Sequence, residues 1–174
     1  LKILEPFDLN YAKKDESEIY VFQDLFRYGT YDSVNYVMKK YKQDIITSLQ
    51  NENPHVNGYI DTLLDTICLI CNNSDARILQ IYLDFLASFI TDQKLILNFL
   101  STGFYNVHCE NNYQQFMSNI KSFKMKIKIL LDFLDKHECS VRQKNDLLTT
   151  ILSITLEENN YYCTKYILSL DFSI

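Results

Sequence analysis

Residues 19–41 read IYVFQDLFRYGTYDSVNYVMKKY. Ile19, Phe22, Leu25 and Phe26 fall at i, i+3, i+6 and i+7, a single helical stripe that stops at Gly29. Asp32-Ser33 offers side-chain oxygens to the free N–H groups of a second helix, which carries Val34, Val37, Met38 and Tyr41. The unit is therefore an apolar helix, a polar turn and a second apolar helix.

The same shape returns three times, at Leu63 to Phe85, Phe116 to Leu134 and Leu147 to Leu170. The second helices align as Val34-Asn-Tyr-Val-Met38, Leu79-Gln-Ile-Tyr-Leu83, Ile127-Lys-Ile-Leu-Leu131 and Thr164-Lys-Tyr-Ile-Leu168. One helix pair cannot bury its apolar face alone, so neighbouring pairs are expected to stack.

Between these units, Gln50 to Gly58 with Pro54 reads as a loop, and Asn106 to Asn112 as another. Ser74 or Asp75 starts the helix of Ile78, Leu79, Tyr82, Leu83 and Leu86, and Thr91 caps a shorter one with Leu95, Ile96 and Phe99. One helix is expected around Phe116 to Phe123 and another from Met125 to Lys136. Ser140 and Gln143 have capping-box spacing, and Glu157 to Asn160 is a tight turn before the last helix. Convincing period-two strands are absent. The expected fold is all-α: stacked antiparallel helix pairs forming a short helical-repeat solenoid over residues 16–174, preceded by an N-terminal arm, 1–15.

Leu25-Phe-Arg-Tyr-Gly29 with Asp32-Ser-Val-Asn-Tyr-Val-Met38 resembles the helix-turn-helix of degenerate ankyrin repeats. Leu148-Thr-Thr-Ile-Leu152 with Asn160 and Lys165-Tyr-Ile-Leu168 is similar. The family's Thr-Pro-Leu-His opening and hairpin glycines do not occur. Armadillo- or HEAT-like stacking is the rival arrangement, and a plain helical bundle the third. The resemblance implies a protein–protein interaction module.

The bulk numbers agree with a globular chain. Of 174 residues, 47% are apolar and 22% charged, and three Gly with two Pro are too few for a turn-rich sandwich or barrel. The net charge of −5, with only Arg27, Arg77 and Arg142 as guanidinium forks, argues against nucleic acid. The cluster Lys121, Lys124, Lys126 and Lys128 reads as a solvated helix face. The greasiest stretch, Ile78 to Ile90, is interrupted by Gln80, Asp84 and Ser88, so no membrane span is expected. No signal pattern opens the chain, and five irregularly spaced cysteines fit a reducing compartment. The expected location is intracellular, cytoplasmic or nuclear.

Residues with reactive potential are scattered. Cys68-Leu-Ile-Cys71 has C-x-x-C spacing but lacks a second pair for zinc and reads as core. His108-Cys109-Glu110 is the nearest approach to a nucleophile with its base, and Cys139 follows His137 by two. His55 stands alone in a loop. The pairs Asp61/Asp65 and Asp132/Asp135 read as solvated helix faces. No catalytic residue, cofactor or metal site is expected.

The aromatic content stands out, with 13 Tyr and 11 Phe but no Trp. Phe falls mostly on the stripes, whereas Tyr28 and Tyr31, then Tyr161 and Tyr162, gather at helix-pair turns. Tyrosine presents a rigid face and a hydroxyl, which suits a protein interface. The expected function is a non-enzymatic scaffold or adaptor that binds another protein, with a basic segment, through Tyr28, Tyr31, Asn160, Tyr161 and Tyr162. Alternatives are a compact adaptor holding a partner helix in an apolar groove, and an all-α enzyme centred on Cys109 or the acidic pairs.

Overall fold

The computed structural model describes residues 21–52, 62–63, 66–67, 69–70, 75–88, 90, 92, 95–97, 100–101, 117 and 119–170. Every regular element among them is helical. Six helices are bounded: α1 Val21–Tyr28, α2 Tyr31–Glu52, α3 Arg77–Ala87, α4 Ile120–Lys136, α5 Val141–Glu157 and α6 Tyr161–Leu168. Helical residues also occur within 62–70 and 95–101. The 1–15 arm and the loops expected around Pro54 and at 106–112 lie outside the described residues.

The packing order follows the apolar stripes. α1 lies against α2, α2 against α3, α3 against α4, α4 against α6, and α6 against α5. Between α1 and α3 sits an aromatic junction of Phe22, Phe26, Tyr82 and Phe85, each at most 1% exposed. The Phe26 and Tyr82 rings meet edge to face at 5.2 Å, and Phe85 lies 6.0 Å from Tyr82 and 6.4 Å from Phe22. Tyr82 Oη donates to the Leu63 carbonyl oxygen at 2.5 Å, so its hydroxyl is satisfied inside the core. Gln23, also buried, ties α1 to the same stretch by donating to the Thr62 carbonyl oxygen and Thr66 Oγ1, both at 3.2 Å.

Several boundaries differ from the sequence expectation. Thr30, not Asp32-Ser33, closes the start of α2: its Oγ1 accepts from the Ser33 N–H at 3.3 Å, and Ser33 Oγ returns to the Thr30 carbonyl at 2.8 Å. Gln50, Asn51 and Glu52 are helical, because Ile45, Ile46 and Leu49 prolong the buried face of α2 by two turns. The two helices expected between Phe116 and Lys136 are one from Ile120 onward, capped by Asn119 on the N–H groups of Lys121 and Ser122. Phe123, Ile127, Leu130 and Leu134 form an unbroken stripe through the supposed junction. Lys126 belongs to that same face and is 2% exposed, so the lysine cluster is not wholly solvated. Asp75 accepts from the Arg77 N–H just ahead of α3, whose N-cap position is Ala76, and the Ser140/Gln143 capping box is complete.

Two turns have the same chemistry. After α4, Glu138 takes φ 55°, with Cys139 N–H bonding the Leu134 carbonyl and Glu138 N–H the Asp135 carbonyl. After α5, Asn159 takes φ 52°, with Asn160 N–H bonding Thr155 and Asn159 N–H bonding Leu156. Both are Schellman stops, in which one left-handed residue closes the last carbonyls. Asparagine tolerates that conformation, whereas glutamate does so only at a cost.

Two stability outcomes are expected. Tyr82→Phe removes a buried hydrogen bond to the Leu63 carbonyl and costs about 0.5–1.5 kcal/mol in denaturant unfolding, while Tyr82→Ala costs about 3–5 kcal/mol. Glu138→Gly relieves the left-handed strain and raises stability by about 0.5–1 kcal/mol, since Glu138 is exposed and loses no packing.

Candidate functional site

The five tyrosine-turn residues meet different fates. Tyr28, the last residue of α1, is 71% exposed beneath the Arg27 guanidinium at 4.9 Å. Tyr31 is half-buried, and Arg77 from α3 lies 4.3 Å over its ring. Arg77 is itself held by Asp75, whose carboxylate accepts from Nε at 2.9 Å and from a terminal nitrogen at 2.6 Å. This hydrogen bonding keeps the Asp75 carboxyl below its usual range. Tyr31 thus joins the starts of α2 and α3. Asn160 is the N-cap of α6 and accepts from the Cys163 N–H at 3.1 Å.

Tyr161 and Tyr162 project from the first turn of α6, 66% and 72% exposed, with rings edge to face at 5.6 Å. Tyr28 and Tyr31 sit on α1 and α2, whereas the principal packing of α6 is against α4 and α5. The sequence's two tyrosine clusters therefore belong to opposite ends of the helix order.

Beside Tyr161 runs a groove of about 670 Å³ between the end of α5 and the outer face of α6. Leu156, Tyr161 and Leu168 provide its apolar wall, and Asn159, Thr164, Lys165 and Ser169 its polar members. Leu156 and Leu168 are each 55% exposed. The Lys165 ammonium stands 5.8 Å from the Tyr161 ring centre. Local sequence explains the double-sided helix: Cys163 and Ile167, four apart, are fully buried, while Tyr161, Thr164 or Lys165, and Leu168 mark the other side. The sequence analysis missed Leu156, Asn159 and Leu168. The available signal was an apolar residue at each end of α6 outside the inward pair.

Beneath this face the groups are fixed. Thr164 Oγ1 donates to Thr155 Oγ1 at 3.1 Å, and the Thr155 hydroxyl in turn donates to the Leu152 carbonyl oxygen at 2.9 Å. Cys163 Sγ contacts the Met117 carbonyl oxygen at 3.9 Å. Burial pushes its thiol up to about 11, against a smaller opposing pull from Lys124. Tyr166 packs edge to face on Phe123, under the Lys124 ammonium, and burial raises its phenol as well.

Elsewhere, a second groove of about 360 Å³ between α2 and α3 includes Lys39, Lys42 and Asp84. Asp132 and Asp135 are exposed, and Asp135 pairs with Lys144. His137 lies against Phe133 at 4.4 Å, and the Cys139 thiol reaches its backbone oxygen, not its ring. Among the described residues no three His, Cys, Asp or Glu side chains converge on a point that could hold a metal, and no helix is long and apolar enough to cross a membrane. His55, Asp61, Asp65, Cys68, Cys71, His108, Cys109 and Glu110 lie outside the described residues. Comparison with protein-family models, with curated proteins and with solved structures gives no match.

The buried thiol under α6 sets a pH response. A group whose folded pKa exceeds its unfolded value stabilises fully below the unfolded value and loses that contribution as pH rises through the folded one. For Cys163 the window runs from 9.0 to about 11. Denaturant unfolding across it should show falling stability, with a shallower fall in Cys163→Ala.

Proposed function

We propose that the chain is a non-enzymatic protein–protein interaction module whose stacked helix pairs present a binding surface at α6. The observation that carries this reading is the order of packing. The helices that carry the four aligned segments, α2, α3, α4 and α6, pack against one another in chain order, although the third expected pair is a single helix from Ile120 onward. Ordered packing of successive helices suits a stack of helical units, an architecture that works by presenting surfaces. The ankyrin-like register of the units agrees with it, and armadillo- or HEAT-like stacking would serve equally.

Two further features support a binding role. Tyr161 and Tyr162 are large, rigid and exposed on a helix held by a capped turn and a buried underside, so little ordering entropy is lost when they are covered. The net charge of −5 favours encounter with a partner that carries a basic segment.

Affinity capture with mass spectrometry, comparing the wild type with Tyr161→Ala/Tyr162→Ala, tests the reading. One specific protein should disappear from the double variant while far-UV circular dichroism stays unchanged. Capture of the same proteins by both would remove α6 from the binding surface.

A further inference from the structure

Charge is distributed unevenly along α4. In its C-terminal half, Lys136 meets Asp84 of α3 at 3.7 Å and Asp135 meets Lys144 of α5. In its N-terminal half, Lys121, Lys124 and Lys128 are exposed, and among the described residues none of the three makes an ion pair. Sequence supplies no acid close by: Asn111 to Leu131 contains none, and neither does Asn159 to Leu170, the stretch that includes α6. A chain of net charge −5 thus carries a cationic row that its own fold leaves unneutralised.

Lys121, Lys124, Met125 and Lys128 stand at i, i+3, i+4 and i+7, on the side of α4 away from its buried stripe of Phe123, Ile127, Leu130 and Leu134. The row is about 10 Å long, and Met125, 47% exposed, lies within it. From α6, the Tyr166 ring sits 5.0 Å from the Lys124 ammonium, and its hydroxyl donates to the Lys124 carbonyl oxygen at 3.5 Å. This arrangement works against the helix that carries it. Lys121 puts a cation in the first turn, where the dipole favours an anion. Lys121 with Lys124, and Lys124 with Lys128, set like charges at i, i+3 and i, i+4. A bound anionic segment would relieve both penalties.

We propose that this row of α4 docks an acidic segment of a partner protein, with carboxylates opposite Lys121, Lys124 and Lys128 and one apolar residue over Met125. The inference rests on the binding-module reading and adds a second contact, separate from Tyr161 and Tyr162. Carboxylates suit the row because three ammonium groups in successive turns make charge-assisted hydrogen bonds without demanding a planar fork. A nucleic acid would draw on guanidinium groups and open rings for stacking, whereas the row has lysines only and Tyr166 is half-buried. A lipid surface would need several large apolar side chains to insert, and the row offers Met125. The net acidity of the whole chain and this local row address different segments of the partner.

The probe is a fluorescein-labelled peptide with glutamates at i, i+3 and i+7 and leucine at i+4, together with a twin carrying glutamines for the glutamates. By fluorescence anisotropy the full chain should bind the glutamate peptide at least about tenfold more tightly than its twin. Lys121→Glu/Lys128→Glu should remove that preference, while Lys39→Glu/Lys42→Glu, the same change in net charge on α2, should leave affinity within about twofold. Lys121→Glu alone should raise the thermal midpoint, because it places an acid in the first turn of α4, so lost binding is not lost folding. Equal binding of the twins, or equal loss in the two double reversals, overturns the proposal. So does tighter binding of a single-stranded oligonucleotide, or of vesicles containing phosphatidylserine, that Lys121→Glu/Lys128→Glu abolishes. Twins that bind alike, beside a captured protein that the tyrosine double variant loses, reject the α4 row and keep the module. A glutamate preference with no protein lost from the tyrosine variant keeps the row and rejects the surface at α6.

Discussion

Tyr82 is where the molecule is tied together. Its ring fills the space between α1 and α3, and its hydroxyl must find an acceptor because no water reaches it. The Leu63 carbonyl meets that requirement, so one side chain fixes α1, the 62–70 stretch and α3 at once. A phenylalanine could fill the volume without choosing the acceptor; a smaller polar residue could choose it without filling the volume. Gln23 repeats the solution from the opposite side, bonding the same stretch at Thr62 and Thr66. Apolar area supplies the bulk of the driving force here, and these two polar tips select one arrangement among those the area would allow.

Helical period was enough to read much of the fold. The stripes of Phe22/Phe26, Val34/Val37/Met38, Leu79/Tyr82/Leu83 and Leu147/Leu148/Ile151 are all buried, and the Ser140/Gln143 box closes as its spacing says. Boundaries failed where the cue was a single residue type. Asp32-Ser33 looked like a cap, but Thr30 sits one position before the first helical residue and reaches the N–H first. Polar Gln50 and Asn51 looked like the start of a loop, yet exposed polar residues on the outer side of a helix whose inner side holds Leu49 interrupt nothing. Glu138 could not be found at all, because sequence readers expect glycine or asparagine in a left-handed stop.

The surface was less legible than the core, for a physical reason. Period tells which residues share a side of a helix, and the same stripe can face a neighbour or the solvent. Leu168 shares its register with buried Leu83, and only the helix order separates their fates. Tyr31 and Tyr161 likewise occupy similar helix starts, but Arg77 covers the first ring and solvent the second. Lys126 is the converse case: a charged letter on the apolar face, whose four-carbon stem joins the core.

The turn at Asn159 has a bearing on how the chain assembles. α5 and α6 are joined by three residues whose hydrogen bonds are all local, so bringing these helices together confines a short loop. Phe26 and Tyr82 must instead close a loop that contains all of α2, at a greater loss of chain entropy. Closing the C-terminal hairpin therefore confines less chain than completing the aromatic junction, so the two ends of the helix order differ in what their assembly costs.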